Sequence, residues 1–317
     1  MNGRSLQLHL WWTALLVLTA LGGAGLAVAA DRPGNPVQRP ELTWAADNKA
    51  RPWITALAEA LSQVHDQATA MSSAGRDVLE RLQTLDTAGA TEALAAGDQA
   101  SSEIDAFLVD LRDLQAHATA QVERWRLGPQ MSGLFDDLDA AITAAPDLAV
   151  DWAGVADIGR AVSGLVEALG EHDALVFQAT SAGRAARWAD ALELLGHATT
   201  DSLATAGLLR DHLVTSTTVE TLDQLLERDR AYDDALVALY TYLRDGGQSS
   251  GNAFKALQDA VDRAQAALPD DNGALAVIVG EATGAPIADA LVAMDEVHGT
   301  INDALDNVAE VLGQAAP

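Results

Sequence analysis

Histidines that stand near carboxylates are the residues of this chain best suited to acid–base or metal chemistry. His298 lies on the apolar stripe of a C-terminal helical pattern, and Asp295 precedes it by three residues. Residues three apart share one face of a helix, so this pair could ligate a metal ion. A complete site needs a second motif, and no Glu-x-x-His occurs in the sequence. His298 and Asp295 are therefore weak metal candidates, and a structural or pH-sensitive histidine is the alternative.

Two further pairs of an acid and a histidine have a spacing of four residues, Asp113 with His117 and Glu193 with His197. Side chains with this spacing meet on a helix surface. Because such pairs are common in an acidic helical protein, surface ion pairing is the expected role of both. Metal coordination between two helices is the alternative.

Other polar clusters have simpler interpretations. The segment Glu171-His172-Asp173 falls where one helical pattern is expected to give way to the next, which favours a turn or a cap. Neighbouring aspartates, as in Phe135-Asp-Asp-Leu138 and Tyr232-Asp-Asp-Ala235, point about 100° apart on a helix, so they are poor general acid/base pairs. Solvated helix faces are expected there.

Catalytic motifs with a defined mechanism are missing from the sequence. There is no HExxH, GxSxG, SxxK, GxxxxGK[ST] or GxGxxG, and the chain has no cysteine. The lack of cysteine excludes disulfides, thiolate nucleophiles, iron–sulfur clusters and cysteine-ligated zinc. We therefore expect a protein that is not an enzyme and carries no cofactor.

The composition favours closely packed helices and an acidic surface. Hydrophobic residues make up 49% of the 317 residues but aromatic residues only 4%, so the apolar content is mainly Ala, Leu and Val. The 46 acidic residues outnumber 19 basic ones and give a formal charge of −27. A polyanion of this kind is repelled by nucleic acid, so no nucleic-acid partner is expected.

The first 30 residues have the order of a secretory signal peptide or an N-terminal membrane anchor. Arg4 precedes an apolar run from Leu8 to Ala29, and small residues satisfy the rule for cleavage after Ala29 or Ala30. The run is also long enough to cross a bilayer of about 30 Å if it is retained. Both readings place the body of the protein beyond the cytoplasmic membrane. A cleaved chain would be secreted or periplasmic, and an uncleaved chain would be tethered to the outer side of the membrane.

Heptad spacing dominates the rest of the chain. Residues 31–48 contain three prolines and no apolar period, which indicates a spacer, and Pro52 suits the first position of a helix. Apolar and small residues then recur at alternating intervals of three and four residues. This spacing predicts a long helical hairpin over 49–127 and a helical bundle over 128–317. No strand pattern of useful length occurs. The expected fold is an all-α, elongated antiparallel bundle of about seven to nine helices, possibly divided into two bundles.

The few tryptophans of the body are expected to fill the core or the ends of this bundle. Trp125 closes the apolar seam of the second helix, and Trp152 and Trp188 lie in later helical segments. An aromatic pocket is the alternative interpretation, but a bundle poor in aromatic residues normally uses them for packing.

These observations favour a non-enzymatic, extracytoplasmic helical-bundle protein that acts as a binding, scaffolding or envelope-associated module. A protein partner or self-association is expected, since heptads close within one chain or between chains. One alternative is a small-molecule or metal-binding sensory bundle with a pocket between helices. Another is a membrane-inserting helical toxin in which residues 273–294 move, although Glu281, Pro286 and Asp289 interrupt that segment. Membrane contact is otherwise expected only through residues 8–29, if they are not cleaved.

Overall fold

A computed structural model describes residues 40–213, 216–268 and 271–313, and all of its regular elements are helices. The prediction of an all-α helical bundle is confirmed. The predicted signal or anchor, with its cleavage positions Ala29 and Ala30, lies outside the described residues. The α-helices are α1 (Pro40–Gln83), α2 (Thr87–Gln121), α3 (Pro129–Ala144), α4 (Asp147–Arg184), α5 (Trp188–His197), α6 (Ala204–Arg210), α7 (Ser216–Arg244), α8 (Asn252–Ala267) and α9 (Asp271–Leu312).

Helix α1 begins earlier than the proline pattern suggests. Its first residue is Pro40, so the second half of the expected spacer is helical. Pro52 lies inside the helix rather than at its start. A proline lacks a backbone N–H and disfavours a helix interior, but the buried seam that follows it outweighs that local cost.

The heptad seams of α1 and α9 are the buried stripes of these two helices. In α1 the seam from Ile54 to Leu82 is fully buried, and in α9 the seam from Ile287 to Leu312 is buried except at the half-buried His298. The predicted turn between α1 and α2 occupies residues 84–86. Asp86 caps α2 by accepting a hydrogen bond of 3.0 Å from the backbone N–H of Gly89, and this bond, with Arg81 nearby, lowers the pKa of Asp86.

Two compact units share these helices. The first unit comprises the described parts of residues 1–62, 109–142 and 303–317. Its core is formed by the early seam of α1, the end of α2, α3 and the end of α9. The largest fully buried side chains of this unit are Ile54, Leu57, Leu61, Leu111, Leu127, Phe135 and Leu138.

The second unit comprises residues 63–108 and the described parts of 143–302. Close backbone approach is visible at Gly97 of α2, which packs against the indole ring of Trp152 so tightly that a Cβ atom would overlap it. Gly159 of α4 similarly faces Val78 and Leu94. These contacts agree with the small residues of the two seams, which permit helices to pack at short distance.

Helix α4 is longer than the sequence suggests. It runs without interruption through residues 171–173, where a helix junction with a turn or cap was expected, so that expectation is wrong. His172 falls on the buried face of α4 and pairs inside the unit, which explains why a polar triplet does not end the helix. Further along, α5 passes directly into a π-helix at Ala198–Leu203 before α6 begins.

Among the described helices, one is long and apolar enough to cross a membrane. It is the Gly273–Leu312 part of α9, whose most apolar 18-residue window has a mean hydropathy of 1.6. One third of that window is buried within the protein, and Ile278, Val279 and Ile287 are fully buried there. A core helix of a helical bundle passes the same test of length and composition.

Candidate functional site

An open cleft in the first unit is flanked in sequence by two exposed tryptophans. The cleft has a volume of about 250 Å³ and is lined by Ala45, Ala46, Lys49, Val122, Glu123 and Arg126. Trp44 precedes Ala45 in α1 and is 71% exposed, and Trp125 precedes Arg126 and is 57% exposed. We call this surface, with its two tryptophans, the tryptophan cleft.

The turn after α2 holds the two sides of the tryptophan cleft together. Helix α2 ends at Gln121, and a single 3₁₀ turn at Arg124–Arg126 follows. The backbone N–H of Gly128 donates a hydrogen bond of 2.8 Å to Asp47 on α1. A Cβ atom at residue 128 would lie 2.8 Å from the Asp47 carboxylate and 3.1 Å from the Thr43 side chain, so glycine permits this approach.

Two arginines fix the shape of the turn that carries Trp125. Arg124 donates to Asp139 of α3 at 2.6 Å, and its guanidinium lies 4.8 Å above the Phe135 ring. Arg126 donates to Glu123 at 2.7 Å and lies 4.5 Å above the ring of Trp125. The indole of Trp125 therefore lies under a cation on one side while more than half of the residue stays exposed to solvent.

A second polar cluster lies inside the second unit, and we call it the buried polar site. His172 of α4 and Asp233 of α7 are 2% and 0% exposed, and His172 Nε2 lies 3.0 Å from Asp233 Oδ2. The hydroxyl of Thr199, in the π-helix, donates to the same carboxylate oxygen at 3.1 Å. The other ring nitrogen of His172 lies 3.3 Å from the carboxylate of Asp173.

The carboxylates of the buried polar site keep His172 charged. Burial opposes the imidazolium form, but hydrogen bonds to Asp173 and Asp233 and the charges of Asp233 and Asp229 outweigh it and raise the pKa of His172 to about 9. Burial raises the pKa of Asp229 to about 6. The charge of His172 opposes that rise, while the charges of Asp173 and Asp233 add to it. The site is thus a buried ion pair with a second, half-buried carboxyl group beside it.

The hydrogen-bonding capacity of the buried polar site is used mostly within the protein. Asp233 Oδ1 is the exception, since this buried atom has no hydrogen-bond partner among the described residues. π-Helices occur often at functional sites, and the one here supplies Thr199. However, the described residues provide no group of three His, Asp or Glu side chains arranged to hold a metal ion.

The sequence-predicted metal candidates have separate partners. Asp295 accepts two hydrogen bonds from one nitrogen of Arg76, at 2.9 and 2.7 Å. His298 Nε2 lies 3.2 Å from the hydroxyl of Thr69, and its ring lies 4.4 Å from the ring of His65. Burial and the charge of His65 lower the pKa of His298 against the opposing effect of Asp295. Both candidates therefore contact residues of α1 in the second unit.

The other acid–histidine pairs have different geometries. His117 Nδ1 lies 2.7 Å from the backbone carbonyl of Asp113 rather than from its carboxylate. His197 forms its ion pair with Asp201 at 2.8 Å, one helical turn further along, rather than with the predicted partner Glu193, and this bond raises the pKa of His197. Both pairs are exposed and local, so neither gathers groups from several helices.

Sequence reasoning missed the main residues of both sites. Trp152 is buried as expected, but Trp125 lies beyond the end of α2 and is exposed rather than packed. Asp233 is fully buried, although the aspartate beside it, Asp234, suggested a solvated face. A signal for Asp233 was present, because it continues the three/four spacing of the buried Leu222, Leu236 and Tyr240.

No protein family, curated protein or solved structure is significantly similar to this chain.

Proposed function

We propose that the protein is a non-enzymatic, extracytoplasmic binding module that acts through the tryptophan cleft. One observation carries this proposal: Trp44 and Trp125 are 71% and 57% exposed, and each directly precedes in sequence a residue that lines the same cleft. Tryptophan and arginine are enriched at the centres of binding interfaces, because they bury a large area and also form directional contacts. In a chain with only seven tryptophans, two exposed ones that adjoin cleft-lining residues in sequence support a binding role.

The buried polar site supports a structural role instead. Its central charges, on His172 and Asp233, are paired within the unit, and these two side chains are closed to solvent. A catalytic group has to reach a substrate, and a ligand needs groups that are free to bind it. We therefore assign the binding role to the tryptophan cleft, and the small-molecule or metal-binding sensory alternative has less support.

The membrane-inserting alternative rests on the apolar character of α9. That helix has the required hydropathy, but its buried residues Ile278, Val279 and Ile287 already form part of the core. Release of dye from liposomes at acidic or neutral pH tests this alternative, because a bundle that keeps α9 in its core leaves the vesicles intact.

Site-directed photo-crosslinking in the native envelope tests the proposed binding role. A benzophenone side chain replaces Ala45, which lines the tryptophan cleft, and in a control chain it replaces the exposed Phe177 of the second unit. We expect adducts from position 45 that disappear in a Trp44→Ala/Trp125→Ala background. Equal adduct yields from both positions, or yields that do not depend on the tryptophans, would show that the cleft is not a binding surface.

A further inference from the structure

We propose that His65 and His298 form an acid-sensitive contact between α1 and α9, which stabilises the packing of these helices at neutral pH and loosens it at acidic pH. We call these two residues the histidine pair. The inference goes beyond the proposed function, because it concerns the second unit and does not involve the tryptophan cleft. Three features support it: the contact of the two rings, their hydrogen bonding, and the charges around them.

The two rings of the histidine pair come from different helices and touch each other. His65 lies on α1 and His298 on α9, both are half-buried, and their ring centroids are 4.4 Å apart. Neutral rings pack favourably at this distance, whereas two imidazolium ions repel each other. Histidine ordinarily changes its charge between pH 5 and 8, so the contact can change from attraction to repulsion in that range.

Thr69 determines which nitrogen of His298 carries the proton of the neutral ring. The hydroxyl of Thr69 donates its single proton to the backbone carbonyl of His65 at 3.0 Å. It therefore accepts at its other contact, 3.2 Å from His298 Nε2, and that nitrogen carries the proton. A second proton has to bind at Nδ1, which forms no hydrogen bond within the described part of the chain. Protonation of His298 thus adds a charge without adding a hydrogen bond.

The charged groups around the histidine pair belong to the same two helices. On α1, Asp66 lies 3.9 Å from His65 Nδ1, but its side chain is 80% exposed, so solvent weakens the attraction. On α9, Asp295 is already bound by Arg76 at 2.7 Å. Neither ring forms an ion pair or a hydrogen bond with any further helix in the described ranges.

The balance of these effects disfavours a charged His298. Burial and the charge of His65 lower the pKa of His298, and Arg76 lowers it further, while Asp295 opposes the change. Asp66 can partly offset a charge on His65, but no unshared carboxylate offsets one on His298. Uptake of protons by both rings therefore leaves a net repulsion between α1 and α9.

The helices approach each other closely beside the histidine pair. Leu291 and Met294 of α9 are buried and pack against Gly75 of α1, where an added Cβ atom would lie 2.7 Å from Leu291 Cδ2. Such close packing depends on a short distance between the helices. Repulsion at the histidine pair should therefore separate the helices locally and expose apolar surface of α9, the most apolar long helix described.

Spin labels on two introduced cysteines can measure this separation, because the natural chain has no cysteine. Ala70→Cys on α1 and Thr300→Cys on α9 place the labels at exposed positions close in sequence to the histidine pair. Ala96→Cys on α2 and Ala153→Cys on α4 form the control pair, since each is exposed and adjoins a residue of the close contact between those helices. Electron paramagnetic resonance then gives the label distances in the full chain at about pH 7.5 and about pH 5.

We expect acid to raise the population with a longer distance between α1 and α9 and to leave the control pair unchanged. Like charges about 4 Å apart shift an equilibrium by about fivefold even at the dielectric constant of water, so that population should rise at least about fivefold. His298→Phe keeps a ring without a charge and should abolish the change. His298→Gln should do the same without the larger ring, whereas His117→Phe on α2 should leave the change intact.

Three results would overturn the proposal. The first is a distance between α1 and α9 that stays the same at acidic pH. The second is a change that persists in both uncharged variants of His298. The third is an equal change in the control pair, which would show that acid loosens the whole unit. None of these results bears on the binding role, because crosslinking at position 45 tests that role separately.

Discussion

Two sites hold side chains in environments that these side chains usually avoid. They are the tryptophan cleft of the first unit and the buried polar site of the second unit. Two large indoles face solvent in the first, and an imidazolium and a carboxylate are enclosed in the second. Internal partners neutralise the buried pair and fix its position, so it acts within the fold. The indoles keep apolar surface uncovered, and this difference assigns packing to one site and binding to the other.

Loss of one member of the buried pair should have the largest effect on stability. Asp233→Ala removes the carboxylate that faces both His172 and Thr199. An uncompensated buried charge costs about 3–5 kcal/mol, so we expect the free energy of unfolding in urea to fall by that amount.

Asp234→Ala is the matched control for this change, because Asp234 is the exposed neighbour of Asp233 on the same helix. It should alter the free energy of unfolding by less than about 0.5 kcal/mol. Similar values for the two variants would show that the buried polar site does not stabilise the second unit.

The pH dependence of stability should show the next largest effect, which comes from the protonation of His172. Its pKa is about 9 in the folded protein and 6.5 in the unfolded chain, so the folded state holds the extra proton between these values. The stabilisation is complete below pH 6.5 and is lost as the pH rises toward 9, on the order of 3 kcal/mol in total. Urea titrations at a series of pH values measure this loss, and His172→Gln should remove it.

Asp229 should add a change of the same sign at lower pH. Its folded pKa of about 6 lies above the ordinary value of 3.8, so the folded state again holds the extra proton. Stability should fall as the pH rises from about 4 to 6. The lowered pKa of His298 acts in the opposite direction just below pH 6.5, and a His298→Gln chain separates the two effects.

Helix packing in the second unit gives a prediction of intermediate size. Gly97→Ala would force a methyl group into the ring of Trp152, which also donates a hydrogen bond of 2.9 Å to Asp98. Overpacking of this kind costs about 1–3 kcal/mol. Gly154→Ala, where the added methyl group meets open space, should instead stabilise the protein by about 0.5–1 kcal/mol. A loss of stability in Gly154→Ala, with none in Gly97→Ala, would contradict this packing.

Periodicity made the fold predictable and left both sites hidden. The seam of α1 from Ile54 to Leu82 could be read directly from the sequence, since spacing alone decides which face of a helix is buried. Trp125 also obeys that spacing, but α2 ends at Gln121, and the ends of helices are the least certain part of a pattern. Asp233 does lie at a buried position of the three/four spacing, but it was missed because an aspartate is expected to be exposed.

The remaining details depend on tertiary contacts that no local pattern contains. The pairing of His172 with Asp233 joins residues 61 positions apart. The hydrogen bond from Gly128 to Asp47, which brings the turn with Trp125 to α1, spans 81 positions. The π-helix that supplies Thr199 has no sequence signature either. The residue pattern of each helix therefore predicted the helix itself, but it did not predict which other helices it contacts.

The most direct test of the binding role measures stability and crosslinking on the same Trp44→Ala/Trp125→Ala chain, with the photo-reactive side chain at position 45. Because both indoles are exposed, the free energy of unfolding should change by less than about 0.5 kcal/mol, while the adduct yield falls at least about tenfold. A loss of about 2 kcal/mol in stability with an unchanged adduct yield would contradict the account, since the tryptophans would then act in packing rather than in binding.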